Sequence, residues 1–570
     1  MRASTHRHAS AQGAPRASPP THFNSKEVLE PVFAGSFGGF LGLSLLKFGN
    51  PPIMEKWVTT PANVYECMYA YPWPIAWAWY LLGLVAVIGL FSAKWKPSTP
   101  RWLLSLPLIW FGWQCVAATQ TVDAELTRAT LKHFAACVVC FYLGLFSLSH
   151  TKHFGTFFAG LFCGFVLVLA VGIDQRFGGL DEYRRVFLER LYLYHQSSPP
   201  EFLKKISSNR IFSTLFYPNV LAGALLLLFP VMLREVHEWS ERLKTSPKWL
   251  VITQLIIMGT GALWLYLSNS KVGVGWVLVF GLSGLASAPK WFLAVILGIA
   301  TLATLFWSGS KGGWLIMLFL GFLALLKLPL GKKFKLILAI GVLSAGLSGF
   351  FWKYSGFFQK GATSVSARFD YWRAAIQTAG THPLFGTGPG TFYIPYTAIK
   401  RPESEPSRLV HNDYLEQGSD SGLVGLLAYS VFIAGGLIWT FKKNIRLETT
   451  SHPPGINAIE LRLLSKQPAV SSPSPMPVPR KSGLEERAGE RRPFNAARAN
   501  SMVIPSGTKR QDWLRFSVWL GLLGWALQSL LEFGLYIPAL AWPAFAFLGW
   551  LVGSTNDDQA NRIDSLSATN

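Results

Sequence analysis

The stretch Gly155-Thr-Phe-Phe-Ala-Gly-Leu-Phe-Cys-Gly-Phe-Val-Leu-Val-Leu-Ala-Val-Gly-Ile173 carries no charged side chain from end to end. An α-helix rises 1.5 Å per residue, so about 20 such residues cross the hydrocarbon layer of a bilayer. Inside that layer the backbone must bond to itself, which leaves helices and closed barrels. The run lacks the two-residue alternation of a barrel strand, so it reads as a membrane helix.

The same reading extends in both directions. Apolar runs recur at 30–47, 72–92, 102–119, 131–148, 213–233, 250–267, 272–287, 291–307, 312–327, 334–352, 420–441, 514–532 and 536–554. The expected fold class is therefore all-α: a polytopic integral membrane protein with about fourteen transmembrane helices. Composition agrees. Of the 570 residues, 50% are hydrophobic and only 14% charged, against about a quarter charged in soluble domains. This argues against a disordered chain and against a soluble globular enzyme. The net charge of +22 does not point to nucleic acid, because the basic residues sit in short loops between apolar runs and in one long polar insert. Lys and Arg gather on the cytoplasmic side of inner-membrane proteins, which puts both termini and the insert inside. Cys137 and Cys140 have redox-motif spacing but lie within an apolar run, where small buried hydrophobes are the simpler reading.

The organisation expected is a disordered cytoplasmic tail (1–29), N-terminal transmembrane helices with a first outer loop (30–199), a transmembrane core (200–445) whose outer loop 353–419 carries the chemistry, a disordered basic cytoplasmic insert (446–512), a C-terminal hairpin (513–555) and a cytoplasmic tail (556–570). The insert is Pro/Ser-rich at 471–481, as linkers are, and its basic excess suits contact with anionic membrane lipids.

Two outer loops hold the polar residues that helix packing does not require. The first, 174–212, ends in Asn209-Arg210 and leads to Tyr217-Pro218-Asn219. Asn219 is expected about two turns inside the apolar run, where it serves either an interhelical contact or a ligand. The second contains Arg368-Phe-Asp370-Tyr-Trp-Arg373, then His382-Pro-Leu-Phe-Gly386-Thr-Gly388-Pro-Gly390, and then Arg408-Leu-Val-His411-Asn412-Asp413-Tyr-Leu-Glu416. Residues 367–379 read as an amphipathic surface helix and Gly386–Gly390 as a tight turn rather than a dinucleotide loop, since no strand precedes it. Lys271 and Lys311 each stand at a helix N-terminus at the outer edge, where they either snorkel to head groups or help hold an anion. Glu532, in an apolar context, is either functional or a packing partner.

These residues suggest one chemistry. Arg210, Arg368, Lys271 and Lys311 would gather at one face and hold a phosphate. His411 would take a proton from a hydroxyl near neutral pH, with Asp413 and Glu416 either positioning it or solvating the helix entry. The absence of a dense carboxylate pair or a His/Cys cluster argues against a metal. The competing reading, a small-solute transporter, predicts polar residues facing one another mid-membrane and inverted repeats.

The chain also resembles the bacterial O-antigen ligase and O-antigen polymerase superfamily. His411-Asn412, nine residues, then Gly422-Leu-Val-Gly425 is similar to that family's pattern of His, then Asn, Ser or Gln, nine residues, Gly, two residues, and Gly, Thr or Tyr. The stretch His382-Pro-Leu-Phe-Gly-Thr-Gly-Pro-Gly-Thr-Phe392 resembles its outer-loop segment. Arg210 through Asn219-Val-Leu-Ala222 resembles its helix entry, and Glu532-Phe-Gly-Leu-Tyr-Ile-Pro-Ala539 its end segment, with Glu where Asp is more usual. The resemblance spans roughly residues 200–445 and 513–552. Two features depart from it: Ser-Lys-x-Gly stands twice where Ser-Arg-Gly is usual, and a long insert precedes the last two helices.

The resemblance implies a polytopic C-type glycosyltransferase of the cytoplasmic (inner) membrane with its active site facing the periplasm. Its donor would be a polyprenyl-pyrophosphate-linked glycan, and neither a metal nor another cofactor would be needed. The acceptor would be a glycan or a lipid A core, or a protein hydroxyl. By resemblance, Arg210 and Arg368 contact the donor phosphates and His411 serves the acceptor hydroxyl. Asn219, Lys271, Lys311, Arg408, Asn412 and Glu416 are the further substrate-binding candidates. Ligase and polymerase share this chemistry and differ only in acceptor.

Overall fold

The computed structural model describes residues 25–69, 72–95, 99–193, 207–243, 290–359, 363–402, 404–451 and 506–567. No strand occurs among them. The helices in chain order are α1 (Ser25–Lys47), α2 (Val64–Tyr69), α3 (Ile75–Ser92), α4 (Arg101–Ala117), α5 (Ala124–Phe146), α6 (Phe154–Asp174), α7 (Leu180–Leu193) and α8 (Pro218–Leu243). They continue with α9 (Lys290–Ser308), α10 (Lys311–Lys327), α11 (Lys332–Gln359), α12 (Thr363–Thr381), α13 (Tyr393–Ile399), α14 (Asp413–Ser451), α15 (Ser506–Gln528) and α16 (Pro538–Ser567).

By length and composition, eight helices among the described residues can cross a bilayer: α1, α3, α4, α5, α6, α8, α11 and α14. Leu293–Ser308 and Pro538–Ser554 are shorter apolar helices. Among the described residues the regular structure is thus all helical, in keeping with a polytopic membrane protein. The runs expected at 250–267 and 272–287, with Lys271 between them, lie outside the described residues, as do most of the expected insert and the first part of the N-terminal tail.

The core is centred on the start of α16. Trp542 meets Phe40 of α1 at 5.5 Å, Trp79 of α3 at 5.8 Å and His133 of α5 at 6.0 Å between ring centroids. One level along, Trp110 of α4 packs on Phe134, Tyr429, Phe432 and Phe545. Around this axis α1 and α6 cross closely. A Cβ on Gly42 would collide with the Gly160 carbonyl oxygen, and one on Gly164 with that of Gly42. Glycines four apart on each helix let the two backbones touch, the usual device where apolar side chains gain nothing by leaving lipid.

Several expected boundaries move. Helix α8 starts at Pro218, so Asn219 opens the helix instead of lying two turns inside it. Proline lacks an N–H and suits a first helical turn, where none is needed. The loop 353–419 is helical at both ends, through Gln359 and from Asp413. In the first outer loop a kink at Phe177 and Gly178 leads into α7. Helices α14 and α15 extend to Ser451 and from Ser506 into the ends of the expected insert, and α16 runs to Ser567 through most of the expected tail. A polar sequence can continue a helix beyond the bilayer because its outward side chains are simply solvated.

Candidate active site

The His382–Gly390 segment sets the architecture. Gly386, Gly388 and Gly390 all have positive φ, which a side chain resists. The segment lies against a break in α14 at Ser421 and Gly422. There Thr387 and Gly388 donate backbone N–H groups to the Ser419 and Asp420 carbonyls at 3.1 and 2.8 Å, and Leu423 donates to Pro383 at 2.8 Å. Beyond the turn, Tyr371, Ala374, Ala375, Phe392, Tyr396 and Val410 form a small apolar core. It fixes α12 and α13 beside the start of α14.

The start of α14 carries His411 in a left-handed conformation at φ +57°. The residues after it serve the chain. Asn412 caps the helix, its Oδ1 accepting from the Tyr414 and Leu415 N–H groups at 3.0 and 3.1 Å, as Asn does at an N-cap. Asp413 accepts from Leu535 N–H at 2.8 Å and Glu416 from Val410 N–H at 3.1 Å. Asp420 accepts from Gly390 N–H at 2.6 Å and from the Tyr536 hydroxyl at 2.9 Å. All three carboxylates are fully buried. Two substrate-binding candidates, Asn412 and Glu416, are thus engaged in holding the backbone.

Glu532, in the loop between α15 and α16, gathers the remaining candidates. Its Oε1 accepts from Arg368 Nη2 and, at 2.5 Å, from Asn219 Nδ2. Its Oε2 lies 2.9 Å from His411 Nδ1. Asn219 Oδ1 in turn accepts from Arg210 Nη2 at 2.7 Å. Arg210, Arg368 and His411, far apart in sequence, are therefore joined through one carboxylate that is 3% exposed. Burial pushes the Glu532 carboxyl up, but the neighbouring His411 and Arg368 outweigh it and hold the group below its ordinary value. Burial also pulls Arg210 down, with the Glu532 charge opposing.

Each partner is anchored elsewhere too. Arg210 Nε donates to the Ser308 carbonyl at 2.7 Å, and Arg368 Nε to that of Leu531 at 3.1 Å. Gln175 clamps the loop after Arg210, accepting from the Phe212 and Ser213 N–H groups at 3.0 and 2.7 Å. The His411 ring stacks on Tyr371 at 5.7 Å and meets Phe533 edge-on at 4.7 Å. A carboxylate can only accept, so His411 Nδ1 carries the hydrogen toward Glu532. In the neutral ring Nε2 then keeps its lone pair. Nε2 has no hydrogen-bond partner among the described residues, and the side chain is 26% exposed.

Next to this group lies a cluster of cations. Lys311 begins α10, whose cap is Ser310. Its ammonium lies over Phe357 and Tyr354 at 3.7 and 5.1 Å, and the charges of Arg210 and Arg368 act on it. Lys353, which the sequence did not single out, feels Arg176, Arg210 and Lys311. Tyr354 brings a buried hydroxyl with no hydrogen-bond partner among the described residues. Arg408 stands apart from the Glu532 contacts, lying over Trp57 and Tyr393. His382 is turned to Thr381.

The family model described as O-antigen ligase matches residues 293–430. The match supports the O-antigen ligase superfamily for this chain. The matched segment runs from α9 into α14 and contains Lys311, Arg368, Arg408 and His411. Arg210, Asn219 and Glu532 come from outside it. Over 177 residues the chain is also 29% identical to an uncharacterized protein of Haemophilus influenzae, a match spanning 27% of this chain and 43% of that protein.

Sequence reasoning left Glu532 open between function and packing and passed over Lys353, Tyr371 and Gln175. Only Glu532 left a signal, as a lone carboxylate in an apolar stretch. The others look like ordinary helix residues until the neighbouring helices are in place.

Proposed function

We propose that this chain is an O-antigen ligase-like glycosyltransferase of C-type architecture in the cytoplasmic (inner) membrane, with its site facing the periplasm. It moves a glycan from a polyprenyl-pyrophosphate carrier to a hydroxyl acceptor. The observation that carries this reading is the convergence of Arg210, Arg368 and His411 on Glu532, beside Lys311 and Lys353. His411 Nε2 accepts the acceptor's proton as its oxygen forms a bond to the anomeric carbon. The bond from that carbon to the pyrophosphate oxygen breaks, and its electron pair leaves with the lipid pyrophosphate. The neighbouring cations stabilise the charge that collects there. Glu532 is a positioning residue: it holds the tautomer and orientation of His411 and ties it to Arg368.

With a lipid A core as acceptor the enzyme is a ligase; with a second lipid-linked glycan it is a polysaccharide polymerase. The test is glycan transfer in membranes supplied with polyprenyl-pyrophosphate glycans, comparing wild type with His411→Ala and Arg368→Ala at equal protein level. Loss of a general base costs about 10²–10⁴-fold, and both variants are expected to lose transfer to at least that extent. The labelled product separates ligase from polymerase. Transfer indifferent to both substitutions overturns the assignment.

A further inference from the structure

Arg408 lies three residues before His411 yet takes no part in the Glu532 contacts. Its guanidinium carbon is 4.5 Å from the Trp57 ring centroid and 4.8 Å from that of Tyr393. On Trp57 the Lys56 ammonium also lies 4.6 Å from the centroid. The guanidinium thus lies over two aromatic rings, contributed by the short helical turn Pro52–Trp57 and by α13. Among the described residues no carboxylate or other acceptor engages its N–H groups. Arg is suited to this arrangement: stacking fixes the plane and leaves the donor fork in its edge free for a bidentate acceptor. The side chain is only half-buried, so its N–H groups are open to a ligand that supplies oxygens.

Two aromatic rings connect this location to the imidazole. The Arg408 charge acts on the Tyr217 hydroxyl. The Tyr217 ring meets Phe533 at 5.2 Å, and Phe533 meets His411 at 4.7 Å. The charges that act on Lys311, in contrast, are those of Arg210 and Arg368. Arg408 and Lys56 thus form a group of cations separate from that around Lys311. Trp57 is 50% exposed, so part of its indole is free beside the guanidinium. An aromatic surface with an adjacent fork of donors suits a ring whose C–H face is apolar and whose substituent is an anionic oxygen group.

We infer that Lys56, Trp57, Tyr393 and Arg408 form a second subsite, which binds an acidic sugar of the acceptor glycan. The Arg408 edge takes the carboxylate or phosphate oxygens and the Trp57 indole takes the sugar's C–H face. This rests on the reading of His411 as the group that receives the acceptor's proton.

The test is saturation-transfer NMR binding to the full chain in lipid nanodiscs, with a glucuronate-containing disaccharide, glucose 6-phosphate and the neutral sugar as probes. Wild type is expected to prefer one or both acidic probes over the neutral one by about tenfold, the scale of a charge-assisted hydrogen-bond pair. The two acidic arms distinguish a carboxylate from a phosphate specificity. Arg408→Gln is expected to abolish the preference, and Arg408→Lys to keep part of it, since the charge remains and the fork is lost. Trp57→Ala is expected to weaken all probes alike. Equal binding of acidic and neutral probes by wild type, or an undiminished preference in Arg408→Gln, overturns the subsite. The binding readout does not need turnover. A subsite that depends on Arg408 in a chain that transfers no glycan would keep the acidic-sugar site and overturn its assignment to an acceptor, whereas transfer without that binding preference would overturn the subsite alone.

Discussion

Glu532 accepts from Arg368, Asn219 and His411 at once, and a buried carboxylate with those partners keeps its charge. Because its folded-state pKa is depressed below the usual 4.5, its contribution to stability is fully present above that value and is lost as pH falls through the lowered one. Thermal unfolding in detergent is therefore expected to show Glu532→Gln melting below wild type at pH 7, with the gap closing as pH drops below 4.5. As Glu532 acts through His411, Glu532→Gln should also cut transfer by about 10²-fold, mainly in kcat, and Glu532→Asp should restore part of it. His411 permits a different separation. At φ +57° an Asn is tolerated better than a β-branched residue. His411→Asn is expected to lose transfer while melting close to wild type, and His411→Val to lose both transfer and stability. The sequence named Arg210, Arg368 and His411, because lone cations and an imidazole beside apolar runs need a reason to be there. It left Glu532 undecided, since its partners lie 121 and 164 residues away. It offered Arg408 only as a further substrate-binding candidate and could not pair it with Trp57, which is remote in sequence.

The same limit acts on whole elements. Every run expected at a described position falls on a helix, because the apolar pattern alone determines that. The start of α14 did not follow, because Asp413 and Glu416 could either position His411 or solvate the helix entry, and Asp420 simply headed an apolar run. They are buried, and each binds a backbone N–H of a different loop. Hydrogen bonding to distant backbone offsets the cost of burial, and no local pattern reports it. The break at Ser421 and Gly422 was equally hidden, although the glycine was in plain sight. At φ +71° a Cβ would collide with the Leu384 carbonyl oxygen. Gly422→Ala is expected to cost at least about 2 kcal/mol, from left-handed strain together with the displaced loop. A lowered melting temperature and faster proteolysis within 382–390 would register it. Glycan transfer should fall with the loss of loop order, which a melt followed by ligand-free proteolysis can separate from a direct effect at His411.

At the scale of the molecule, the central helix follows every other described helix in sequence. The buried first half of α16 touches α1, α3, α4, α5 and α8 through Trp542, Phe545 and their neighbours. Deleting residues 538–567 is expected to abolish a monodisperse species in size-exclusion chromatography, where loss of a peripheral helix would only shift it. Position in the chain also sets a timetable. A ribosome adding about 5–20 residues per second delivers Arg210 and Asn219 on the order of half a minute before Glu532. During that interval the nascent chain holds cationic side chains at the membrane without the carboxylate that later joins them. Insertion machinery, lipid head groups or water must shelter those charges until the loop that carries Glu532 arrives. The centre thus comes into existence only after Glu532 has been added, and a chain stalled before it holds the cations without the carboxylate that joins them.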